Sequence, residues 1–168
     1  TARSAGVAIV QVSAGHGDSR KHVLVADTDG VWATDEQVRT LVRITAVADG
    51  DSGMQTGSQS AGHTMGFELF NKIDVEALAR DAARQALTKL NARPAPSGAL
   101  PVVIKQGSGG VLFHEACGHG LEADAIAKGA SVYQGKRGEL VASPLVTLVD
   151  DGTMTGEWGA IAFDDEGH

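Results

Sequence analysis

The sequence predicts an α+β fold: an antiparallel sheet with a packed amphipathic helix, followed by the start of a second mixed β/α domain that carries a histidine-rich helix. Three observations predict it. Arg39 to Ala48 alternates, with Val42, Ile44, Ala46 and Ala48 on one face and Leu41, Arg43, Thr45 and Val47 on the other, the period of a half-buried strand. Asp74 to Asn91 repeats Val75, Leu78, Ala79, Ala82, Ala86 and Leu90 at three- and four-residue spacing, the period of an amphipathic helix. Between this helix and the next apolar run lies Arg93-Pro-Ala-Pro-Ser-Gly98, a shift in composition that marks a boundary. The expected division is a domain at 1–93, a linker at 94–99 and a second domain at 100–168.

Taken in order, Gly6 to Val12 and His22 to Asp27 read as the strands of a hairpin turned at Gly15-His-Gly-Asp18. Thr28-Asp-Gly30 is a second turn, leading through Val31 and Trp32 to the alternating strand. Asp49 to Gly66, rich in Gly, Ser, Gln and Thr, reads as a long loop with His63 solvated in it. Its Gly50-Asp-Ser-Gly53 is like the nucleophile motif of trypsin-like proteases, but no accompanying constellation supports a triad. Asp74 is placed to cap the helix, and Pro94 and Pro96 stop it. Leu100 to Lys105, Leu145 to Val149, Thr153 to Trp158 and Ile161 to Phe163 read as strands. The acidic pairs after them read as turn formers.

Composition excludes some functions. The 168 residues are 42% hydrophobic and 21% charged, with a formal net charge of −7. That balance argues against a nucleic-acid surface, and no apolar run approaches the roughly 18 residues of a membrane span. A single cysteine, Cys117, permits no intrachain disulfide and fits a reducing compartment.

The chemistry is concentrated between Gly107 and Glu122, where His114, Glu115 and His119 form H-E-x-x-x-H. In the zinc-protease pattern H-E-x-x-H the histidines are four apart and share a helix face. Five residues advance a regular helix by about 500°, leaving the rings about 140° apart. They can meet on one ion only if a residue is absorbed between them, as a π-bulge does. Gly118 is the expected site of that distortion, in a helix beginning near Gly110 whose start, Val111 to Phe113, is buried. The pattern then reads as metal-assisted amide hydrolysis, with zinc on His114 and His119 and Glu115 as general base. A catalytic zinc normally has three protein ligands. Cys117 lies about 300° round the helix from His114. Glu122 is a fallback ligand or, like Cys117, a residue behind the ligands, hydrogen-bonding a histidine N–H. The glycine-rich entry at 107–110 could cradle a phosphate but lacks the Walker lysine and the dinucleotide spacing.

With these residues in view, the sequence resembles the TldD/TldE (PmbA) metallopeptidase family. The resemblance rests on five blocks in one order: Leu100 to Val103, Gly107 to Asp124, Gly138 to Ser143, Val149 to Thr153 and Phe163 to Gly167. The first 95 residues resemble the family's central region more loosely. The intact H-E-x-x-x-H is similar to the TldD-type catalytic subunit rather than its TldE-type partner. The resemblance implies that 100–168 is the N-terminal part of an incomplete catalytic domain, in a chain missing sequence at both ends. It implies a third zinc ligand, a cysteine beyond the C-terminal end, and a fragment inactive without it. It implies short or unfolded peptides as substrates, a TldE-like partner subunit or a homodimer, and a cytoplasmic location without direct nucleic-acid or membrane contact. Roles in peptide maturation and as a modulator of DNA gyrase are implied in the same way. The alternative reading is a non-catalytic interaction or structural module of such a complex.

Overall fold

A computed structural model describes residues 1–168, the side chain of Ser108 excepted. The chain is α+β and divides into two compact units, Thr1–Pro94 with Asp150–His168, and Ala95–Val149.

The first unit is built on three antiparallel strands in the order β1 (Ile9–Ala26), β2 (Trp32–Ala48) and β3 (Gln55–His63). β1 and β2 close at Ala26↔Trp32. In that turn the Asp27 carboxylate accepts the amides of Asp29 and Val31, both at 2.9 Å, so a short polar side chain replaces part of the backbone ladder. The alternation of β2 is realised: Val42, Ile44, Ala46 and Ala48 are buried. They meet α1 (Val75–Leu90), whose inward residues Ala79, Ala82, Ala83 and Ala86 are buried with them in one cluster. Asp74 caps α1 by accepting the Ala77 amide at 2.8 Å.

Two expectations in this unit give way. Gly15-His-Gly-Asp18 is not a turn; these residues pair with Val42, Leu41 and Thr40 and with Arg43 inside β1. Two strands of matched length satisfy the backbone of those glycines better than a local turn would. Most of the expected loop at 49–66 is likewise strand, because the outer edge of β2 from Thr40 to Ala48 offers it a ladder. A Cβ at Gly57 would collide with the backbone of Ala82 and Ala86; the missing side chain lets α1 lie directly on β3. Across that contact Gln85 accepts the Ser58 amide at 2.8 Å, and Lys89 donates to the Thr56 carbonyl at 2.7 Å.

Residues Asp150–His168 belong to this unit but form no strand. They are held by the Thr64 amide on the Gly156 carbonyl (3.0 Å) and by the Arg39 guanidinium on the Ala160 carbonyl (3.3 Å). Asp151 and Asp164 are turn formers, accepting the amides of Thr153, Glu166 and His168. Those donors hold both carboxyls below the usual aspartate range.

The second unit contains α2 (Ser108–Phe113), a π-helical turn (His114–Gly118), a 3-10 turn (His119–Leu121) and α3 (Ala123–Ala127). The strands expected at 100–105 and 145–149 are absent among the described residues. Extended apolar sequence becomes strand only when a neighbour takes its hydrogen bonds, and here Val103 and Leu145 are 97% and 95% exposed. Val111, Leu112 and Phe113, expected to be buried, are exposed as well.

Candidate metal centre

Site geometry begins with one backbone bond. The His119 amide donates to the His114 carbonyl, five residues back, the pattern of a π turn. The turn absorbs the surplus residue between the histidines, and their rings lie 4.3 Å apart, centroid to centroid, inclined at 66°. Donor atoms of His114, Glu115 and His119 all fall within 4.8 Å of one another.

Gly118 contributes in an unexpected way. Its dihedrals are ordinary helical ones, φ −57° and ψ −51°, so it carries no distortion. A Cβ there would instead sit 3.3 Å from Nδ1 of His114. Glycine at 118 leaves room for an imidazole.

The electrostatics centre on His119, which lies between two carboxylates. Its Nδ1 is 2.8 Å from Oε1 of Glu122, and its Nε2 is 3.6 Å from Oε2 of Glu115. A carboxylate can only accept, so Nδ1 carries the proton and Nε2 of the neutral ring keeps its lone pair. The hydrogen bond and charge of Glu122 push the His119 pKa up, and the charge of Glu115 adds to this. The expected partial burial is not found: the His119 and Glu115 side chains are both more than half exposed.

Two imidazoles and a carboxylate are a donor set suited to zinc. A tetrahedral ion at about 2.1 Å from each would need donors roughly 3.4 Å apart, which rotation of exposed side chains can reach. Cys117 is outside this cluster. It is half-buried and lines an apolar cavity of about 580 Å³ with Phe113, Leu121, Tyr133 and Leu140. His63 is in β3, with Nδ1 donating to the Gly156 carbonyl at 3.1 Å. Sequence reasoning missed Ser131 and Tyr133: the Ser131 hydroxyl donates to the Gly120 carbonyl and accepts the Tyr133 amide at 3.0 Å. Their only signal is the polar loop after α3.

Fold and site together define an α+β protein with a histidine–carboxylate cluster of metal-binding type. The family model for the PmbA/TldA metallopeptidase central domain matches residues 1–90, and that for the C-terminal domain matches 97–168. The chain belongs to the PmbA/TldD metallopeptidase family. It is 42% identical over 99% of its length to a protein named metalloprotease TldD homolog from Haemophilus influenzae. It is 36% identical over 95% of its length to a protein named metalloprotease from Methanothermobacter thermautotrophicus. The chain spans 36% and 35% of those relatives, about a third of each. Among the described residues no helix is long and apolar enough to cross a membrane.

Proposed function

We propose that this chain carries two zinc ligands, His114 and His119, and the general base, Glu115, of a peptidase that hydrolyses short or unfolded peptides. The observation that carries the reading is the convergence of these three side chains across a π turn, with donor atoms within 4.8 Å. When bound, a divalent cation supplies Lewis acidity, polarising the scissile carbonyl and bringing the pKa of water from about 16 towards 7. Glu122 holds His119 in the tautomer that leaves Nε2 free. Glu115 takes the proton from the attacking water and passes it to the departing amine. The third ligand is a cysteine outside this chain, so the isolated chain is inactive. The complete protein works in the cytoplasm, with a TldE-like subunit or as a homodimer.

The test is Glu115→Gln in the full-length protein. Zinc content should stay stoichiometric while peptide cleavage falls by about 10²–10⁴-fold, the range of a lost general base. Undiminished cleavage would sink the assignment and favour a non-catalytic module.

A further inference from the structure

The 3-10 turn His119–Leu121 breaks at Glu122, which is extended at φ −63° and ψ 136°. Carbonyls at such an end lose their intrahelical partners. For Gly120 the replacement comes from 11 residues downstream, where the Ser131 hydroxyl donates to its carbonyl. The same hydroxyl accepts the Tyr133 amide at 3.0 Å, so it is used in both directions and ties the loop to the turn. The Tyr133 ring closes the contact. A Cβ on Gly120 would lie 3.0 Å and 3.1 Å from its Cε2 and Cδ2 atoms, so Gly120 is flush against the ring. Both Ser131 hydrogen bonds are partly buried, unlike the exposed histidine cluster one residue away.

We propose that Ser131 is a positioning residue for the candidate metal centre: by pinning the Gly120 carbonyl, it fixes the turn that aims His119. The proposal rests on the reading of His119 as a ligand. His119 has little else to orient it. Its ring touches only side chains of its own segment, Glu115, Glu122 and His114, and all of these move if the turn moves. The Ser131 bond is the tether from outside that segment. Residues that orient a ligand from behind typically contribute about 10–100-fold to metal affinity.

The experiment compares full-length wild-type protein with Ser131→Ala, Ser131→Thr and His119→Ala. Zinc affinity is measured by chelator competition, the visible spectrum with Co²⁺ in place of zinc, and the melting temperature in the absence of metal. Ser131→Ala should weaken zinc binding by about 10–100-fold and alter the Co²⁺ spectrum, while Ser131→Thr, which keeps the hydroxyl, restores both. Should Ser131→Ala fail to fold, Gly120→Ala, which presses a methyl group on the Tyr133 ring, tests the same turn by the same affinity. Wild-type affinity and spectrum in Ser131→Ala, with or without a lower melting temperature, would overturn the proposal where His119→Ala loses the metal. Retention of zinc by His119→Ala would instead remove the reading beneath it.

Discussion

At the scale of single residues, His119 carries a pH signature. Its pKa is raised chiefly by the hydrogen bond and charge of Glu122. A cation needs the neutral ring, so proton competition begins above the ordinary histidine range, and metal binding weakens as pH falls through the raised value. For folding the sign runs the other way: the His119–Glu122 interaction is fully present below the ordinary histidine pKa and fades as pH rises through the raised one. Glu122→Gln should bring the His119 titration back towards the ordinary range, read from imidazole NMR shifts of the metal-free protein. An unmoved midpoint would remove Glu122 as the cause. The pairing of His114 with His119 was legible because their spacing misses a regular helix by a calculable angle. The tether at Ser131 was not, since no local rule links a serine to a carbonyl 11 residues back.

Among the elements, the contact of α1 with β3 is the most sensitive. Alanine side chains on α1 and no side chain at Gly57 bring the two backbones together. Gly57→Ala must therefore push the helix off the sheet, and overpacking of this kind costs about 1–3 kcal/mol. Denaturant unfolding should show the loss. Asp74→Ala removes the helix cap at 2.8 Å and should cost about 1 kcal/mol in the same assay. β2 and α1 were legible because each has one buried face and so a clean period. β3 was not. Gln55 to His63 is small and polar throughout, and its strand conformation comes from the edge of β2 and from α1 lying over Gly57. β1 was half legible: its glycines look like a turn until a partner of equal length is in place.

For the whole molecule, the question is what one third of a longer relative can do. The chain supplies two imidazoles and a carboxylate, all exposed. The isolated chain should bind zinc weakly and the full-length protein stoichiometrically, by elemental analysis after dialysis. Tight stoichiometric zinc in the isolated chain would mean that Glu115 completes the donor set as a ligand, not as a base. The apolar runs at 100–105 and 145–149 read as strands, yet they find no pairing among the described residues. Their periodicity states a preference, and only a backbone partner converts it into a ladder.

A π turn holds one residue more than a regular turn, so everything after it is rotated by about 100° relative to what comes before. Deleting Ala116 would empty that reserve. The histidines, now four apart, would still share a side of an ordinary helix, but Leu121 and Glu122 would swing round with the rewound segment. The shortened protein should hold its cation through the same two rings, while His119 loses the carboxylate that sets its tautomer.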